Sequence, residues 1–147
     1  GLRVAVVSPG VFTATANGIG LPAANLVRVK PNGQQIFESV ANPADPRQPV
    51  PVSLASPDDQ LFLVLYPTGV RGRAAQSSVK ARIAGFPAEV AYADKQGTFT
   101  GLDQVNILIP RAALVAAGVT GKASVELTID QADGSTIAAN PVDLYFN

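Results

Sequence analysis

The chain reads as an all-β protein, an antiparallel β-sandwich of two sheets with immunoglobulin-like architecture, on three observations. Short apolar-alternating runs recur along its length with the period of two that buries one face of a strand. Gly and Pro, thirteen and twelve in number, punctuate these runs as turns, giving about eight or nine strands at the spacing of a sandwich. Only one segment carries helix signals: Pro110, an Ala-rich run and Gly118 predict one short helix near 111–117, with proline at the first helical position. A closed barrel is the second choice. It is disfavoured because some strands, Leu61 to Tyr66 above all, are apolar on both faces.

Each element has its own justification. Leu2, Val4 and Val6 alternate with Arg3 and Ala5 and make a first strand, closed by Ser8-Pro9-Gly10. Ala24 to Val29 is a strand, Pro31-Asn32-Gly33 a turn, and Gln35 to Val40 the hairpin partner. Pro43, Pro46, Pro49 and Pro51 exclude a central strand and predict an extended surface connection. Leu61 to Tyr66 is the strand in the middle of the protein, ended by Pro67-Thr68-Gly69. Val79, Ala81 and Ile83 form a strand with one wet face, which Gly85-Phe86 turns into Ala88 to Ala93. Val105, Ile107 and Ile109 bury one face of the organising strand, which Gly101 opens and Pro110 closes. Val125, Leu127 and Ile129 form the next strand, a hairpin turn follows at 132–135, and Val142, Leu144 and Phe146 finish the chain.

Composition narrows the chemistry. At 147 residues, one domain spanning 1–147 buries about 70% of the surface its unfolded chain exposes. Eleven basic and eleven acidic residues cancel and are scattered, which removes the footprint of a nucleic-acid or anionic-membrane binder. No apolar run reaches the length of a membrane-spanning helix. The chain has no His, Cys, Met or Trp. The usual zinc and haem ligands, thiol nucleophiles and the commonest general base are therefore missing, and no cofactor is expected. A chain without Met, Cys or Trp also has little to oxidise, as suits an exposed protein. It starts at Gly1 with neither Met nor a signal-peptide pattern, which reads as a mature or excised form.

An ordered series of motifs adds a resemblance. It comprises Pro9-Gly10-Val11-Phe12-Thr13, Asn42-Pro43-Ala44, Leu65-Tyr66-Pro67-Thr68-Gly69, Gly85-Phe86-Pro87-Ala88-Glu89-Val90, Tyr92-Ala93 and Phe99 to Asn106 with Pro110. From Pro9 to about Asn140 the chain resembles the Solibacter-type carboxy-terminal domain of large secreted acidobacterial proteins. The resemblance implies export, an Ig-like or IPT-like sandwich and a place outside the cell or on its surface, and it brings no catalytic residues. Pro67 and the charged Arg71-Gly72-Arg73 depart from the small, apolar residues of that pattern.

The candidate sites follow. Asp58, Asp59, Asp94 and Asp103 are the loop acids a hydrolase would pair, but turn and strand-entry roles explain them more simply. Asp130, Asp133 and Ser135 surround Gly134 as calcium-capable oxygens without an EF-hand pattern; a hairpin turn accounts for them. Gln104 and Asn106 share a strand face, either bonding the 97–101 backbone or forming a polar platform for sugar. The small number of Tyr and the absence of Trp weigh against the platform. Arg71 and Arg73 are a candidate anion-binding or ligand-contacting loop tip. An isopeptide bond would need Lys30 or Lys80 to meet Asn106 or Asn140 near Glu38 or Glu89. Leu2, Val4 and Val6 carry the sharpest expectation: a first strand that either pairs within its own subunit or completes a sheet in a neighbouring domain or in a second copy of the chain. The leading reading is a non-catalytic, exported structural or adhesive sandwich at the cell surface, polymerising through that strand into a filament. The second is an accessory module binding extracellular polysaccharide or another surface polymer. A hydrolase is third.

Overall fold

A computed structural model describes residues 10–11, 22, 24–68, 79–95, 103–130, 134–139 and 141–147. Among the described residues thirteen strands, β1 (Gly10–Val11), β2 (Ala24–Val29), β3 (Gln35–Ser39), β4 (Ala41–Asn42), β5 (Asp45–Pro49), β6 (Gln60–Leu65), β7 (Pro67–Thr68), β8 (Val79–Ile83), β9 (Phe86–Lys95), β10 (Asp103–Leu108), β11 (Gly121–Asp130), β12 (Thr136–Ala138) and β13 (Val142–Phe146), accompany one helix, α1 (Arg111–Ala116). Nine strands form one antiparallel sheet in the order β12-β11-β8-β9-β10-β6-β2-β3, with β13 also on β11. The protein is an all-β sandwich, as its alternating runs and turn punctuation predict.

The two layers are halves of that sheet, joined through β9. Phe86 to Ala88 pair with β8, whereas Glu89 to Lys95 pair with β10. A register shift opposite Asn106 and Ile107 falls within the second stretch, and a bulge of this kind bends a strand and raises its twist. Buried side chains from both halves belong to one cluster: Leu26, Leu63 and Ile107 from one side, Ile83, Leu127 and Leu144 from the other. β6 lies between β10 and β2, with Leu61, Leu63 and Leu65 all buried. Its two apolar faces are those of a central strand, as its sequence predicts.

The segment 50–55 and α1 close the sandwich. The amide of Val52 donates to the carbonyl of Tyr145 at 2.7 Å, and Asn147 donates back to the Val52 carbonyl at 3.2 Å. The guanidinium of Arg111 donates from Nε to the carbonyl of Leu54 at 2.7 Å, while Leu114 is fully buried. Gly118, at a φ of 68°, ends the helix in the left-handed conformation that glycine adopts without strain.

Four local expectations need correction. The proline-rich stretch is not merely an extended connection, because β4 and β5 pair as a small hairpin in which the amide of Ala44 donates to Asn42 Oδ1 at 2.9 Å. Proline is tolerated there because the hairpin stands outside the main sheet. Pro110 precedes the helix as its cap residue instead of occupying its first turn. The β8–β9 turn is Ala84-Gly85, both at positive φ, one residue earlier than Gly85-Phe86. The last hairpin returns as two pieces, β12 and β13. Between them the partner register on β11 slips by one residue, and Pro141, which has no amide to donate, lies in the gap. The expected first strand at Leu2 to Val7 lies outside the described residues.

Candidate functional site

Alternation on β2, β6 and β10 puts one set of side chains into the core and the other onto the outer sheet face. The outer set is unusual for a face turned to water. In register across the strands stand Tyr92 on β9, Asn106 on β10, Val64 on β6 and Asn25 on β2. The neighbouring row, two residues along, is Leu108, Phe62, Val27 and Phe37. Phe37 is 71% exposed and Tyr92 37%. Apart from Leu108, the residues of both rows line an open groove of about 380 Å³, together with Tyr66 and the amides of Gln35 and Gln104.

The polar groups of this face are organised by one another. Gln104 donates from Nε2 to Asn106 Oδ1 at 2.9 Å, and Asn25 donates from Nδ2 to the Tyr66 hydroxyl at 3.2 Å. Gln104 and Asn106 bond each other, and the 97–101 backbone, one of the two roles the sequence offered them, lies outside the described residues. Each of these bonds leaves amide capacity over: Asn106 retains its NH2, and Asn25 its carbonyl oxygen. Among the described residues no charged side chain lines the groove.

At the inner face of β2, the β2–β3 hairpin and the loop 53–59 hold a charged cluster. Arg28, 7% exposed, donates from Nε to Glu38 at 2.6 Å, from NH1 to Asp59 at 3.2 Å, and from NH2 to the Ser53 carbonyl at 3.1 Å. Lys30 Nζ lies 2.9 Å from the same Asp59 oxygen. The hydrogen bond from Lys30, with a further one from Arg28, holds the Asp59 carboxyl below its ordinary range against the opposing effect of burial. The cluster ties the loop 53–59 to the β2–β3 hairpin. A second cleft, of about 600 Å³, opens where β9 leaves β8 and is lined by Lys80, Arg82, Glu126 and Thr128. Lys80 there bonds Asp130 at 2.9 Å, and Arg82 bonds the Gly85 carbonyl at 3.1 Å.

The acids of the sequence reading are placed accordingly. Residues 57–58 form a turn, and Asp59 belongs to the Arg28 cluster. Asp94 and Asp103 sit on β9 and β10. Asp130 accepts from Lys80 and from the Thr136 hydroxyl, and these bonds, Lys80's first, lower its pKa. Lys30 and Lys80 each meet an aspartate, not an asparagine. Leu2, Val4, Val6, Arg71, Arg73, Asp133 and Asn140 lie outside the described residues. The sequence reading passed over Asn25, Phe37, Phe62, Tyr66 and Tyr92. Strand pairing alone brings these residues together, and their one sequence signal is the apolar outward face of β2 and β6. No family model, curated protein or solved structure matches the chain.

Proposed function

We propose that the protein is a non-catalytic, exported β-sandwich that adheres to a surface or matrix polymer through its outer sheet face. The observation that carries this reading is the face itself. Two of the three tyrosines and two of the six phenylalanines gather there with four amides on one sheet face. Aromatic planes give area at little entropic cost, and amides give orientation, which is the division of labour in a binding surface. The absence of His and Cys from the chain, and aspartates 45, 59 and 130 held charged by their partners, favour adhesion over acid–base chemistry. The resemblance to exported acidobacterial domains, and a chain with little to oxidise, favour a place outside the cell.

The test is co-sedimentation of the full chain with insoluble polymers: cellulose, chitin, xylan, alginate and a fibrous protein such as collagen. Retention by at least one, lost on Tyr92→Ala with the fold intact, is expected. A chain that stays in the supernatant with all of them defeats the reading.

A second reading, assembly into a filament by strand addition, is favoured by β3. Among the described residues this strand hydrogen-bonds only to β2, so it offers a sheet edge. The donor would be Leu2, Val4 and Val6 of a second copy, and head-to-tail repetition does not close. Electron microscopy and sedimentation of the full chain and of a form lacking residues 1–8 decide it. Filaments from the first alone support strand addition, and compact monomers from both end it.

A further inference from the structure

The outer face has a spacing as well as a chemistry. Asn106 and Asn25 both stand opposite Val64, one from each side, so they are two strand separations apart. At about 4.8 Å per separation the two amides lie roughly 10 Å from each other along a line across the strands. An extended, β-linked glycan chain repeats every two sugar units at about that length, because alternate units are turned over. Every second unit then offers the same hydroxyl in the same direction.

We propose that this groove binds a neutral, extended polysaccharide lying across the strands, with Asn106 and Asn25 contacting equivalent hydroxyls of alternate sugar units. The inference rests on the adhesive reading above and adds the ligand's class and direction. Charge selects the class. Among the described residues no charged side chain lines the groove. At its β9 margin Glu89, exposed and opposite Leu108 in register, repels a uronate or sulfate chain. The hydrogen-bonding inventory fits hydroxyls, since Asn106 has donors to spare and Asn25 an acceptor. Phe62 and Phe37, in the row beside the amides, offer apolar surface to the C–H face of the sugar rings, and Tyr92 stands at the end of the amide row.

The experiment is isothermal calorimetry of the full chain with cello- and xylo-oligosaccharides of two to six units, set against oligoguluronates of equal length. Affinity for the neutral series is expected to rise steeply up to three units, where both amides are engaged, and to level off beyond. Asn106→Ala and Asn25→Ala should each weaken the neutral hexasaccharide about tenfold, in proportion to one lost hydrogen bond to a hydroxyl. Their far-ultraviolet dichroism and unfolding midpoints serve as the check on folding, and Phe37→Ser is a second, exposed variant that leaves the core untouched. Preferred binding of the oligoguluronates overturns the neutral class while leaving adhesion intact. Neutral binding that all three folded variants retain at full strength overturns the groove as its site. Binding of neither series overturns this inference, and the polymer panel above then decides separately whether adhesion survives.

Discussion

Replacing Arg28 with leucine tests the account of what holds the β2–β3 hairpin to the loop beneath it. Leucine fills part of the space of the arginine stem but removes four hydrogen bonds: two to Glu38, at 2.6 and 3.4 Å, one to Asp59 at 3.2 Å and one to the Ser53 carbonyl at 3.1 Å. Removing one partner of a buried ion pair typically costs about 3–5 kcal/mol, because the other charge is left uncompensated. Two features place Arg28→Leu at the lower end. The Glu38 side chain is one-third exposed and can rehydrate, and Asp59 keeps Lys30. The expected loss is about 3 kcal/mol, or a fall in Tm of about 6–12 °C for a domain of this size. The assay is urea unfolding followed by circular dichroism, with an unchanged m-value as the sign that stability alone has moved. The difference should also depend on pH. The Asp59 carboxyl has a lowered pKa in the fold, so its contribution is present above the ordinary carboxylate range and is lost as pH falls through the folded value. The gap between parent and variant should therefore narrow below about pH 4. A loss under about 1 kcal/mol at neutral pH, or a gap that stays constant into acid, would refute the reasoning.

Three further outcomes are expected. Leu63→Ala, at a fully buried position between Leu26 and Ile107, should cost about 3 kcal/mol in urea unfolding, since β6 is held on both sides and cannot collapse onto the cavity. Ala84→Gly should raise the midpoint by about 1 kcal/mol of stability, because Ala84 has a φ of 53°, which an alanine adopts under strain. Arg111→Ala should cost about 1.5 kcal/mol and speed amide exchange in segment 50–55, whose Leu54 carbonyl loses its donor.

The strands were legible because burial imposes a period of two on each of them. Val79 to Ile83 alternates buried and exposed, and Ser124 to Asp130 and Val142 to Phe146 alternate buried with half-buried or exposed positions. Gln60 to Leu65 breaks the alternation because it is central. The Ala-rich helix was legible from Pro110 and Gly118, the residues that bound it. The β4–β5 hairpin was not, because its prolines mimic an unpaired connection, and a side-chain turn at Asn42 decides it. The single chain-linked sheet was hidden too. Nothing in Phe86 to Lys95 announces that its start belongs to one layer and its remainder to the other.

The sequence by itself determined the class of the protein: all-β, neutral, without thiol or imidazole chemistry, with its core residues already marked by alternation. Only the tertiary structure decided which outward residues meet. Asn25, Val64, Asn106 and Tyr92 come from four strands scattered from position 25 to position 106, and they form one row because strand order and register set them side by side. Arg28, Glu38 and Asp59 likewise find each other through a hairpin and a loop. Local pattern reports whether a side chain faces in or out. Its neighbour across the sheet depends on register, a property of paired strands that neither strand carries alone.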